Sequence, residues 1–258
     1  DETEYALIDL NFLGVYDLYE RLITDFPEIL FESCASGGAR FDAGMLYYAP
    51  QCWTSDDTDA VERIKIQYGT SMAYPVSSMG AHVSAIPNHQ VKRMTDVDFR
   101  AHVAYFGAFG YELDPNAMTE DEQEKVKEQI AFFKKYRKLI QFGTFYRLED
   151  PFEGDGNAAW MSVSPDKKQA VAAYYKVMAT PNPKLKKLIL TGLDPDKRYY
   201  CSRNGRTYYG DELMNMGLLL DMEFTGSSVR KDSITKKDSG IDAGDYTSQL
   251  YVLECVDN

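Results

Sequence analysis

Cysteine is sparse. Cys34, Cys52, Cys201 and Cys255 are the four among 258 residues, and no two of them form a CxxC pair. That spacing argues against a disulfide framework or a zinc site and favours thiols in a reducing compartment, so a cytoplasmic location is expected. Histidine is scarcer still, with only His82, His89 and His102, which limits metal or triad chemistry built on imidazole. Basic charge is also in deficit: 28 Lys and Arg stand against 40 Asp and Glu, a net charge of −12. Nucleic acid and anionic membrane surfaces are therefore not expected partners. No apolar run approaches the roughly 20 residues that span a bilayer. The opening Asp1-Glu2-Thr3-Glu4 lacks the charged-then-apolar order of a signal peptide. What remains is ordinary: 44% hydrophobic and 26% charged residues describe a globular chain with room for one large domain or two smaller ones. Its acidity is compatible with a neutral substrate such as a sugar.

Patterning divides the chain. Phe12, Leu13, Tyr16, Tyr19, Leu22 and Ile23 recur at spacings of three and four and predict an amphipathic helix over residues 10–26. Residues 29–34 read as a strand entering the loop Ala35-Ser36-Gly37-Gly38. Residues 47–53 read as a second strand entering Thr54-Ser55-Asp56-Asp57-Thr58-Asp59, with a helix from about residue 60 to 69. Residues 74–77 are a third candidate strand, and 101–110 fit either helix or strand. The clearest helix spans 119–142. Thr119 and Glu122 match a capping box, and Val126, Ile130, Phe133 and Ile140 share a face. Beyond Gly143 the texture changes to short runs rich in Val, Tyr and Leu, at 169–177, 187–190, 198–201, 218–224 and 248–255. Turn signals such as Asp194-Pro195-Asp196, Asn204-Gly205 and Asp242-Ala243-Gly244 separate them. This predicts an antiparallel β-sandwich after a boundary near Gly143.

In parallel α/β folds chemistry sits in loops that follow the strands, and two polar loops occupy that position here. In Thr54–Asp59, mutual repulsion among three carboxylates can raise the pKa of one, keeping it protonated as a general acid beside Trp53. The same residues also suit a helix N-cap, to which Asp59 is best placed, or hard-ligand coordination of Mg²⁺ or Ca²⁺. Around Cys34 the residues fit a tight turn, a backbone that lets a ligand approach closely through Gly37 and Gly38, or a nucleophilic thiol favoured by Arg40. The last is the weakest, since no base is adjacent in sequence. A phosphate-binding P-loop is excluded because Lys-Ser/Thr does not follow the glycines. The histidines, like Lys231 and Lys236-Lys237, read as structural or solvated positions.

Together these loops carry a family resemblance. Glu32-Ser33-Cys34-Ala35-Ser36-Gly37-Gly38-Ala39-Arg40-Phe41-Asp42 and Gln51-Cys52-Trp53-Thr54-Ser55-Asp56-Asp57-Thr58-Asp59-Ala60 resemble bacterial α-galactosidases of glycoside hydrolase family 36. Gly44-Met45-Leu46-Tyr47-Tyr48, Phe145-Tyr146-Arg147-Leu148 and Gly210-Asp211-Glu212-Leu213-Met214-Asn215-Met216-Gly217-Leu218 extend the likeness along the chain.

The resemblance implies retaining hydrolysis of terminal α-galactosides such as melibiose and raffinose. It implies a (β/α)₈ TIM barrel of which residues 1–143 are the C-terminal half, followed by an antiparallel β-sandwich over 144–258. Asp56 takes the acid/base position, and Cys34, Gly37 and Trp53 are substrate-binding. No metal or organic cofactor is implied, since two carboxylates and water suffice. The full-length enzyme is expected to be a homo-oligomer. Asp57 stands where relatives often carry Asn, and Ala39 where they commonly carry a third glycine. The nucleophilic Asp belongs to a Lys-Trp-Asp motif that these 258 residues do not contain. The chain is accordingly expected to be the C-terminal portion of an enzyme and inactive alone. Galactosyl transfer of the raffinose or stachyose synthase type, action on α-N-acetylgalactosamine, and a non-catalytic sugar-binding or assembly module are the alternatives.

Overall fold

A computed structural model describes residues 2–39, 41–181, 183–221 and 244–256. Arg40, Lys231, Lys236-Lys237, Asp242-Ala243 and the end of the expected strand at 218–224 lie outside the described residues. The first half contains α1 (Glu2–Asp25), β1 (Glu32–Ser33), α2 (Met45–Tyr48), β2 (Gln51–Cys52), α3 (Ala60–Thr70), β3 (Gly80–Ser84), α4 (Val97–Ala104), β4 (Ala108–Glu112) and α5 (Glu120–Phe142). β1 pairs with β2 and β3 with β4, both in parallel. A parallel bridge from Cys52 to Met79 joins the two pairs. Four parallel strands thus stand side by side in chain order.

Local chemistry sets the helix ends. One Asp59 carboxylate oxygen accepts from the Val61 and Glu62 amides, each at 3.1 Å, and starts α3. The capping box of α5 is complete, with Glu122 N–H to Thr119 Oγ1 at 3.2 Å and Thr119 N–H to Glu122 Oε2 at 3.0 Å. Three acidic residues in its first turn, Glu120, Asp121 and Glu122, suit the positive end of the helix dipole. Gln129, Tyr136, Leu139 and Ile140 form its buried stripe.

Three expected strands move. Residues 29–34 shorten to the two of β1, because Ile29 and Leu30 are exposed. Residues 47–53 split: Asp42 Oδ1 accepts from the Met45 amide at 2.8 Å and starts α2, leaving only Gln51–Cys52 as strand. Residues 74–77 enter a 3₁₀ turn at Val76–Ser78, and β3 follows it. The ambiguous 101–110 is both, the end of α4 and the start of β4.

The second half is sheet-rich. It contains β5 (Thr144–Glu149), β6 (Ala158–Val163), β7 (Gln169–Lys176), β8 (Lys187–Leu188), β9 (Arg198–Cys201), β10 (Arg206–Tyr209), α6 (Gly210–Asn215), β11 (Leu218–Leu219) and β12 (Thr247–Cys255). Six strands form one sheet of order β10-β9-β12-β7-β6-β5, antiparallel throughout. One face, with Trp160, Val171, Ala173 and Tyr175, joins the same core as Ile64, Phe99, Phe106 and Ile140 of the first half. The other face, with Met161, Ala172, Tyr251 and Leu253, packs on Leu188, Leu190, Leu213 and Leu218 from the β8–β11 pair and α6. A single apolar core therefore binds the parallel-strand half to the sheet. Among the described residues no helix is long and apolar enough to cross a membrane.

His102 lies against that shared core, partly buried. Its Nδ1 lies 2.7 Å from Ser248 Oγ on β12, and its carbonyl accepts from Tyr175 Oη at 2.7 Å. Burial pushes the imidazole down to about 4, against the opposing pull of Asp98. Its folded value lies below its unfolded value, so the unfolded chain binds more protons between about pH 6.5 and 4. Stability contributed by neutral His102 is thus present above pH 6.5 and lost as pH falls toward 4. Thermal melts at a series of pH values should show a shallower acid-side decline for His102→Gln than for the unaltered chain. Parallel declines would refute this.

Candidate active site

The parallel pairing of β1 and β2 places their C-terminal ends together, with the Trp53 amide donating to the Ser33 carbonyl at 3.0 Å. The loops that follow are pressed against one another. A Cβ on Gly37 would lie 2.5 Å from Ser55 Cα and 2.9 Å from the Asp56 nitrogen. One on Gly38 would lie 2.8 Å from the Thr54 carbonyl oxygen. Gly37 also has φ +74°, in the left-handed region. The glycines are thus required by close approach of backbone to backbone as well as by the turn. Ala35 N–H to Gly37 O and Phe41 N–H to Gly38 O, both at 3.0 Å, tie the loop internally. Cys34 is exposed where this loop begins, Gly37 is buried, and Ala39 is exposed.

The three carboxylates of the second loop have separate fates. Asp59 is buried; it caps α3 and pairs with Arg93. Asp57 turns inward along the chain: its Oδ1 accepts from the Asp59 amide at 3.0 Å, while its own amide donates to Ser55 Oγ at 3.1 Å. Asp56 is exposed, and its carboxylate has no hydrogen-bond or ion-pair partner among the described residues. Of the three, Asp56 is the exposed one. Among the described residues no group of three or more His, Cys, Asp or Glu is arranged to hold a metal ion.

Trp53, half-buried, is held by two neighbours. Its ring stacks on His82 with centroids 4.5 Å apart, and the Arg63 guanidinium lies 4.8 Å from its centroid. A Cβ on Gly80 would come within 2.9 Å of Trp53 Cε3, so the indole rests directly on the start of β3. His82 Nδ1 stands 3.6 Å from Glu112 Oε2 on β4. The sequence had not marked Arg63 or His82 as part of this site. A cavity of about 410 Å³ lined by Tyr174, Lys186 and Gln249 lies elsewhere, on the sheet, and shares no residue with these loops.

These two loops carry the most specific part of the sequence's resemblance to α-galactosidases, and comparison with known proteins decides the family. The Melibiase family profile matches residues 1–143, and that of the glycosyl hydrolase family 36 C-terminal domain matches residues 157–253. The chain belongs to the melibiase family. Among similar melibiases, α-galactosidase AgaA of Geobacillus stearothermophilus is 56% identical over 208 residues, which is 81% of this chain and 28% of that protein. Mel36A of Lactobacillus acidophilus is 49% identical over 80% of this chain and 28% of its own length. The crystal structure of an AgaA variant in complex with raffinose superposes with a TM-score of 0.85 at 49% identity, covering 95% of this chain and 31% of that one. The α-galactosidase of Lactobacillus brevis gives 0.86 at 48% identity, covering 95% of this chain and 32% of that one. This melibiase chain spans less than a third of the length of these relatives.

Proposed function

We propose that this chain supplies the acid/base half of a retaining α-galactosidase site, acting on terminal α-galactosides of the melibiose and raffinose type. The observation that carries the reading is the packing of Gly37 on Ser55 and Asp56. It joins the two family loops into one surface from which Asp56 alone presents an uncommitted carboxylate. In the reaction, a carboxylate from outside these residues attacks the anomeric carbon while Asp56 gives its proton to the departing glycosidic oxygen. Asp56, now ionised, takes a proton from the water that attacks the galactosyl-enzyme, which releases galactose with its configuration retained and restores the acid. Cys34, Gly37 and Trp53 line the sugar position.

In the same reading, residues 1–143 form the second half of a (β/α)₈ barrel and 144–258 a C-terminal antiparallel β-sandwich. The row β1-β2-β3-β4, with helices between strands, supports the first assignment. Homo-oligomerisation of the complete enzyme belongs to this reading too.

No Lys-Trp-Asp sequence occurs in the chain, so the purified 258 residues should leave an aryl α-galactoside uncleaved. Joined to an upstream segment bearing that motif, they should cleave it, and proton NMR should show α-galactose as the first-formed product. Turnover by the 258 residues alone, or β-galactose released first, would overturn the assignment.

A further inference from the structure

Arg63 is the feature that the chemistry above leaves unused. It lies in α3 on the face shared with Ala60, Ile64 and Gln67, and it is only 1% exposed. A buried guanidinium is ordinarily matched by a carboxylate at contact distance. This one instead spends its donors on neutral oxygens. Nη1 donates to the Ser55 carbonyl at 3.3 Å, Nη2 to the Gly80 carbonyl, and Nε to Gln67 Oε1 at 3.4 Å. Its Cζ lies over the Trp53 ring, 4.8 Å from the centroid. Burial lowers it to about 10, and the fields of Asp57 and Glu112 work against that fall. The desolvation cost is met by contacts that tie α3 to the start of β3 and to the peptide entering Asp56, with the indole of Trp53 beside it.

We propose that Arg63 is a positioning residue for the acid/base: its fork pins the Ser55 carbonyl to the start of β3 and so fixes where the Asp56 carboxyl points. This rests on the reading of Asp56 as acid/base. The fork matters because one planar group reaches both carbonyls and the ring at once. An ammonium carries the charge but cannot present that fork.

The test uses the complete enzyme with Arg63→Met, Arg63→Lys and, as reference, Asp56→Ala. The readout is kcat/KM on melibiose, whose sugar leaving group needs a proton, against an aryl α-galactoside with an activated leaving group that needs little. Displacing a catalytic group by an ångström costs up to about 100-fold. Both Arg63 variants should therefore lose about 10- to 100-fold on melibiose and a few-fold at most on the aryl substrate. Equal losses on the two substrates, or no loss, would show that Arg63 serves only packing. If Arg63→Met fails to fold, Arg63→Lys decides by the same ratio. If Asp56→Ala itself shows no difference between substrates, the acid/base reading falls and this proposal with it. If Asp56→Ala shows the split and the Arg63 variants do not, only the positioning role is lost.

Discussion

Asp56→Ala in the complete enzyme is expected to lower kcat/KM for melibiose by about 10³-fold, and for an aryl α-galactoside with a good leaving group by about 10-fold or less. The asymmetry follows from where the proton is needed. Breaking the bond to a sugar oxygen leaves a strongly basic alkoxide unless a proton arrives with the bond cleavage. An activated phenolate departs without that help. In the proposed mechanism the second step has the opposite sensitivity, since Asp56 would there deprotonate water whatever group has left. The aryl substrate should consequently show a lowered kcat with a lowered KM, as galactosyl-enzyme accumulates. Azide needs no general base, so added azide should raise that kcat and yield α-galactosyl azide. Asp57→Ala should show neither the substrate split nor the rescue, because Asp57 is committed to the Asp59 amide. The same azide product from Asp57→Ala and none from Asp56→Ala would exchange the two assignments.

More of the candidate site's composition than of its assembly was legible in the sequence. Asp59 was legible as a cap because capping is local: the acceptor and its two amides lie within three residues. The capping box of α5 was legible for the same reason. Strand β6, Ala158–Val163, escaped notice because all six residues are buried, three toward each core, so no polar alternation marks it. The stretch 47–53 misled because Tyr47 and Tyr48 favour strands, while the decisive contact is from Asp42 to the Met45 amide. The contact between Gly37 and Ser55 was also out of reach, since it depends on the parallel pairing of β1 with β2. Arg63 had a signal that could have been used. A charged and an amide residue, Arg63 and Gln67, sit four apart on the apolar face of α3, where a solvated helix would place neither.

Gly37→Ala should be the most damaging substitution of a non-reacting group. Two penalties coincide. The left-handed backbone at φ +74° costs a residue with a Cβ about 1–2 kcal/mol. The added methyl would also meet Ser55 Cα at 2.5 Å and the Asp56 nitrogen at 2.9 Å, which are backbone atoms that cannot rotate away. The loops must then separate, and the side that moves carries either Cys34 or Asp56. If these loops form the sugar's contact surface as proposed, KM should rise as well as kcat fall, with a combined loss of about 10²-fold or more on melibiose and aryl substrates alike. That pattern differs from the leaving-group split expected at Asp56 and Arg63. Ala39→Gly is the contrasting case. Position 39 is exposed, so a glycine there should change activity little. Kinetics on both substrates, with thermal melts to confirm folding, would check the pair. Wild-type KM with only kcat reduced in Gly37→Ala would mean that the glycine loop does not contact the sugar.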